Sequence, residues 1–207
     1  MGHFLGRVVL ATAFAAVLSL PSSAATSVWQ IDPNHSSAQF AVRHLGLSTV
    51  RGAFTKVSGT VQLDDKDVTK SSVEVVIDAA SVDTRVEARD KDLRSDHFFE
   101  VEKYPTLTCK STKVEQVEPG KLKVSGDLTI HGVTKQVVLD VDGPTAPVKD
   151  PWGNQRAAAN ATTKINRQDY GVKWNAKMDN GGWVVGDDVA ITIDVEMTQK
   201  TAPKSGN

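Results

Sequence analysis

The amino-acid sequence predicts an all-β domain of about eight antiparallel strands. Three observations predict it. Apolar residues recur at every second position in six separate segments, the period of a half-buried strand and not of a helix. Turn-forming residues separate those segments. Only one long apolar run occurs, at the very start of the chain, so nothing later in the sequence is long enough to cross a bilayer. Strands with one wet and one dry face satisfy themselves either by closing into a barrel or by packing as a two-sheet sandwich.

The leading segment stands apart. Residues 1–7 carry one side-chain charge, Arg7; residues 8–20 are almost continuously apolar; Pro21-Ser22-Ser23-Ala24-Ala25 adds a turn and small side chains. This is the three-part plan of a secretory signal peptide. The apolar run is too short for a permanent anchor, which needs roughly 20 residues. Residues 1–24 are therefore expected to be removed on export to the periplasm. One domain is expected over residues 25–198, followed by a fraying tail at 199–207.

Within the domain the dry faces read directly from the alternation. They are Ala38, Phe40 and Val42; Val57, Gly59, Val61 and Leu63; and Val73, Val75, Ile77 and Ala79. In the second half they are Leu122, Val124, Gly126, Leu128 and Ile130; Val137, Leu139 and Val141; and Val189, Ile191, Ile193, Val195 and Met197. Two further segments, residues 106–117 and 155–167, read as strands of mixed pattern. Glu118-Pro119-Gly120, His131-Gly132, Asp142-Gly143-Pro144 and Asp179-Asn180-Gly181-Gly182 mark turns. Two stretches break the alternation. Residues 86–94 (V-E-A-R-D-K-D-L-R) suit a short helix, with Asp90 and Arg94 at the i,i+4 spacing of an ion pair. Residues 169–175 suit a single helical turn.

Composition narrows the function. A net charge of −1 argues against a nucleic-acid binder, which needs a basic surplus. One cysteine, Cys109, cannot form an internal disulfide, and in an exported protein it is expected to be buried and inert. The dry faces carry Gly59, Ala79, Gly126, Ala157, Ala159 and Ala161. Small inward residues in an eight-strand barrel leave volume for a ligand, or else let two sheets pack closely.

Longer motifs add to this reading. In chain order they are Trp29-Gln30-Ile31-Asp32-Pro33, His35-Ser36, Phe40-Ala41-Val42-Arg43-His44-Leu45-Gly46 and Val50-Arg51-Gly52-Ala53-Phe54. Ser81-Val82-Asp83-Thr84, Arg89-Asp90, Leu93-Arg94-Ser95, Phe98-Phe99 and Tyr104-Pro105 follow. Gly126-Asp127-Leu128-Thr129-Ile130-His131-Gly132, Arg167-Gln168-Asp169-Tyr170-Gly171, Trp174-Asn175 and Val185-Gly186-Asp187 complete the set. Together they resemble the YceI-like family, exported lipocalin-like proteins also described as polyisoprenoid-binding. One departure is Asp96-His97 before the aromatic pair, where the family more often runs from an acid straight into the aromatics.

The resemblance implies an extended eight-stranded antiparallel lipocalin-like barrel, with one or two short helices and an apolar tunnel for a long isoprenoid chain. It implies a non-enzymatic carrier of a polyprenyl phosphate or isoprenoid quinone, needing no other cofactor. At most, contact with the membrane surface is transient, and a homodimer stays open. The competing reading is an envelope interaction module with a filled barrel. Phe40, Val42, Phe54, Val75, Ile77 and Leu128 are the expected lining, with Phe98, Tyr170 and Trp174 capping the tunnel. Arg89 and Arg167 are candidates for a head group, because guanidinium forks match phosphate oxygens. Arg43 falls on the wet face and suits local pairing better.

Other chemistry fits less well. His35, His44, His97 and His131 show no helical metal-ligand spacing, so no metal site is expected. Asp32, His35 and Ser36 offer the residue types of a hydrolase triad, but triad partners are defined in space and not in sequence. Asp64-Asp65-Lys66-Asp67 lacks the glycine and closing acid of a calcium loop and reads as a hairpin turn. Phe40→Asp puts a charge on a dry face and is expected to disrupt both the fold and any lipid content. Circular dichroism and lipid extraction check this, and a folded, lipid-loaded variant would show that the face is wrongly assigned.

Overall fold

The structure, a computed structural model, describes residues 26–199. The expected signal peptide and all but the first residue of the expected tail lie outside the described residues. The elements in chain order are β1 (Thr26–Ile31), β2 (Ser37–His44), β3 (Ser48–Phe54), β4 (Val57–Asp64), β5 (Ser72–Asp78), β6 (Val82–Asp83) and α1 (Glu87–Arg94). They continue with β7 (Thr106–Glu118), β8 (Lys121–Ile130), β9 (Val133–Asp142), β10 (Val148–Lys149), β11 (Gln155–Asn166) and β12 (Val185–Gln199).

More than eight strands make an eight-stranded ring because two of its members are bent. β1 and β2 both run antiparallel to β12, one beyond the other, with Ile31 facing Met197 and Ser37 facing Asp194. The chain between them bulges out at Asp32 to Ser36. β3 then pairs with β2 and β4 with β1, so the next strand is bent in the same way. From β4 the ladder passes through β5, β7, β8, β9 and β11, and the β11–β12 pairing closes it. The result is a closed antiparallel barrel and not a sandwich. β6 and α1 cover the gap beside β3, where β6 pairs with Ala53 and Phe54.

All six alternating faces point inward as read. The mixed pattern of residues 106–117 has a simple cause. β7 carries register breaks at Ser111/Lys113 and Gln116/Glu118, and each bulge reverses which parity faces inward. Leu107 and Val114, seven positions apart, are therefore both buried.

The structure corrects three local readings. Asp90 and Arg94 do not pair. Asp90 is buried and accepts from the Thr84 backbone N–H and hydroxyl, while Arg94 donates to the carbonyls of Ala80 and Val82. Both tie α1 to the β6 segment. The helical turn expected at 169–175 lies earlier, as a 3-10 turn at Arg167–Tyr170 whose N-cap is Asn166. Gly59 and Gly126 are small because neighbouring backbone crowds them, not to leave ligand space. A Cβ on Gly59 would lie 2.2 Å from the Glu74 carbonyl oxygen, and one on Gly126 would lie 2.8 Å from that of Lys110. Gly59→Ala is accordingly expected to cost about 1–3 kcal/mol through strand displacement, checked by urea denaturation; an unchanged midpoint would contradict this close approach.

Candidate functional site

The barrel encloses a cavity of about 270 Å³. Every strand of the ring contributes to its wall. On β12 alone the wall runs from Val185 to Met197, about 40 Å of strand at roughly 3.3 Å per residue. The space is therefore long and narrow. Ala159 and Ala161 of β11 line it beside Val195 and Ile193, their direct partners on β12.

Of the residues expected to meet a ligand, Phe40, Val42, Phe54, Val75, Ile77, Phe98, Leu128 and Tyr170 all lie on the cavity wall, and so does part of Arg167. Phe40, Phe54 and Phe99 form a chain of ring contacts, with centroids 5.9 and 5.4 Å apart. Two expected residues are not on the wall. Trp174 is half-buried against the core, stacked on His97 at 5.9 Å and tilted against Phe98 at 5.4 Å. The departure at Asp96-His97 thus has a use, since His97 Nδ1 also reaches Asp92 at 2.8 Å and pins this segment. Arg89 is held on Thr84, to its hydroxyl at 2.7 Å and its carbonyl at 3.0 Å, away from the cavity.

Arg167 reaches the wall but is not a free cation. It is buried and makes five hydrogen bonds. Nε donates to Gly186 O, Nη1 to Val172 O and Trp174 O, and Nη2 to Val185 O and Asp187 Oδ1. Burial pushes its pKa down, and Asp187 opposes this. The guanidinium fastens the segment after β11 to the start of β12 and is committed to protein oxygens. Arg43, as expected, pairs locally, with Thr49 and the Gly46 and Leu47 carbonyls.

Sequence reasoning missed part of the wall. Val61, Leu63, Leu122 and Leu139 lay on recognised dry faces without being singled out, whereas Val172 and Leu93 carried no periodic signal. Cys109 is half-buried and lines the cavity. Burial, with a smaller push from Asp127, moves its thiol up to about 11, so it stays protonated and unreactive.

A polar cluster sits where β1 bends into β2. Asp32, His35 and Glu196 converge with their ligand atoms within 4.8 Å. A cation already occupies the centre. Arg156 Nη1 bonds Asp32 at 2.9 Å and also Glu196, and its Nε bonds Asp150 at 2.8 Å. The hydrogen bond from His35, then Arg156, hold the Asp32 carboxyl down at about 2 against the effect of burial. Burial also works against ionisation of Asp150, but hydrogen bonds from Asn154 and Arg156 outweigh it. Ser36 does not complete a triad, because its hydroxyl donates to Glu196 O at 3.2 Å. His131, on the β8–β9 turn, faces Glu100 at 3.3 Å. Arg156 and its three carboxylates clamp the bend between β1 and β2.

A closed antiparallel barrel around a long apolar cavity defines a lipocalin-like β-barrel with an internal site. A family model for the YceI-like domain matches residues 29–197. A UPF0312 protein of Vibrio cholerae is 40% identical over 169 residues, covering 81% of this chain and 89% of the relative. The YceI protein of Campylobacter jejuni superposes with a TM-score of 0.65 at 31% identity, covering 77% of this chain and 90% of that one. A polyisoprenoid binding domain from Saccharophagus degradans, at 19% identity, shares the fold with a TM-score of 0.60 over 83% of this chain and 98% of its own. The chain belongs to the YceI-like family.

The clamp gives a pH prediction. Asp32 and Asp150 have folded pKa values below their unfolded ones, so their stabilisation is present above about pH 4 and is lost as pH falls toward 2. Arg156→Gln leaves three carboxylates without their cation and is expected to lower the urea midpoint at pH 7. Its loss of stability between pH 4 and 2 should be shallower than that of the wild type. Urea titrations across that range check both, and parallel curves would refute the clamp.

Proposed function

We propose that the protein is a periplasmic carrier that holds the hydrocarbon chain of a long isoprenoid lipid inside its barrel. The observation that carries this reading is the wall: elongated, contributed by every strand of the ring and almost wholly apolar. A compact polar substrate has no partners there, whereas a long alkyl chain meets carbon along its length. The polyisoprenoid binding domain with the same fold supports the isoprenoid class. Among the described residues no helix is long and apolar enough to cross a membrane, as a mobile carrier requires, and the leader supports export. The cavity counts against the filled interaction module.

Burying alkyl surface stabilises by roughly 0.8 kcal/mol per methylene relative to water. An isoprenoid normally resides in a bilayer that is equally apolar, so that gain is nearly absent in transfer from the membrane. Affinity then comes from fit along the wall and from whatever meets the head group.

Organic extraction of the purified exported protein, followed by mass spectrometry, is expected to release a long-chain isoprenoid. Ala161→Phe, which fills the cavity from β11, should release much less while remaining folded. The reading fails if no long-chain lipid is extracted and added isoprenoids do not bind, or if Ala161→Phe keeps its full load.

A further inference from the structure

One end of the barrel carries an exposed apolar and basic surface that the packing of the chain does not use. The segment leading into β12 forms a short hairpin. Met178 N donates to Gly182 O and Val184 N to Ala176 O, and Lys177 lies directly opposite Trp183. Direct antiparallel partners share a face, so the Trp183 ring and the Lys177 ammonium project on the same side. The hairpin runs on beside the β2–β3 turn: Val185 faces His44, and Leu45 N donates to Val184 O at 2.8 Å. Trp183 thereby stands next to the turn that carries Leu47. Leu47 is 79% exposed and Trp183 56%. Single exposed apolar residues are ordinary, but a tryptophan and a leucine on neighbouring turns make a patch.

The same two turns are basic. Residues 43–51 and 176–184 hold Arg43, Arg51 and Lys177 against one acid, Asp179, in a chain whose net charge is −1. Arg43 donates to the Gly46 and Leu47 carbonyls and the Thr49 hydroxyl, which places an uncompensated positive charge at the root of the Leu47 turn. Arg51, exposed and two residues beyond Thr49 on the same face of β3, extends the cationic side. Among the described residues, none of these three cations forms an ion pair. The nearby Asp187 is taken by Arg167 and Gln168. At the opposite end of the barrel Trp152 is 80% exposed, but Lys121 and Lys70 there are matched by Asp142 and Asp67.

We propose that the end bearing Leu47 and Trp183 is a docking surface for an anionic lipid bilayer. Trp183 and Leu47 enter the head-group region, while Arg43, Arg51 and Lys177 lie against lipid phosphates. An indole suits that depth because its body is apolar and its N–H is polar. Cations near a negatively charged surface are held by its potential, within about one Debye length. A bilayer yields to protruding turns, whereas a protein partner needs a matching surface of roughly 800 Å² on each side. The same end supplies Val42, Val172 and Val185 to the cavity wall, so docking brings those segments to the lipid. The proposal goes beyond the carrier reading and does not depend on it, since docking is measured without a cargo.

The test is co-sedimentation of the purified exported protein with vesicles of phosphatidylethanolamine and phosphatidylglycerol, against vesicles of phosphatidylcholine alone. The wild type is expected to bind the anionic vesicles, to bind phosphatidylcholine far less, and to be released by high salt. Lys177→Gln should weaken binding about fivefold, the worth of one cation near such a surface. Leu47→Ala combined with Trp183→Ala should weaken it about tenfold or more, whereas Trp152→Ala should bind as the wild type does. Leu47→Ala alone removes an exposed side chain and should melt like the wild type, so it tests the same surface if Trp183→Ala lowers stability. Brominated phosphatidylglycerol should quench part of the wild-type fluorescence, and Trp183→Phe, but not Trp152→Phe, should remove the quenched part. Absence of binding to anionic vesicles, unchanged binding by the Leu47 and Trp183 variants, or quenching that disappears with Trp152→Phe overturns the docking surface. So does a dimer that Trp183→Ala dissolves without any binding to vesicles, which assigns the patch to a second copy of the chain. Lipid extraction of the same proteins tests the carrier reading separately.

Discussion

The ladder between β11 and β12 is the constraint on which the rest of this protein depends. It runs through twelve consecutive partners, from Gln155 facing Gln199 to Asn166 facing Asp188. Because it joins the two ends of the sheet, it leaves the ring without an edge. Every strand must then divide into an inner and an outer face, and the inner faces enclose a common space. The same ladder decides how full that space is. On its inner face Ala157, Ala159 and Ala161 stand beside Met197, Val195 and Ile193. Direct partners in an antiparallel pair share a face, so each small side chain leaves room beside a larger one. At Ala157 that room goes to buried Trp29, which packs with Ala157 and Met197. At Ala159 and Ala161 it stays open as cavity.

Long ladders on a twisted ring have to start and break somewhere, and this protein uses an arginine at each such place. Arg156 sits where β1 bends into β2 and gathers Asp32, Asp150 and Glu196 from separate segments. Arg167 sits where the chain leaves β11 and gathers carbonyls from the segment leading back to β12. Both answer the same difficulty, since backbone leaving a ladder carries polar groups that still need partners. The functional consequence is indirect. With both guanidiniums committed, the wall presents mostly apolar carbon together with an unreactive thiol.

Much of this was legible in the sequence, and the failures have identifiable causes. Alternation located six inner faces, because a strand with one wet face must repeat with period two. β1 escaped because Val28, an exposed apolar residue at 51% accessibility, blurs its alternation. β3 escaped because Arg51 and Gly52 interrupt a strand of seven residues. The bulges in β7 scrambled its pattern by reversing parity. Of the site, residues on strands were readable from their period, whereas those on connections fell unevenly, with Phe98 and Tyr170 on the wall and two others off it. Phe40, Val75, Ile77 and Leu128 follow from their strands. Trp174 and Arg89 do not, since no period fixes where a loop or a short helix turns its side chains. Gly59 and Gly126 show a further limit: a small residue on a dry face signals crowding or emptiness equally well, and only geometry separates the two.

On the proposed carrier reading, the open cavity also bears on how the barrel would compete with a membrane for a lipid chain. An apolar wall facing empty space lacks the dispersion contacts that packed interiors gain, and unfilled volume in a core lowers stability. A chain lying along the wall would supply dispersion contacts that the wall residues do not make with one another. A bilayer offers the same chain a fluid, averaged surrounding, whereas the wall formed by Phe54, Val75, Leu128 and Ile193 offers fixed partners along a narrow path. Binding then draws on the stability of the protein itself: a ligand that fills the barrel stabilises the folded state by mass action. On the proposed carrier reading, the room for a lipid chain is left by the same alanines, Ala159 and Ala161, that keep the barrel from packing shut.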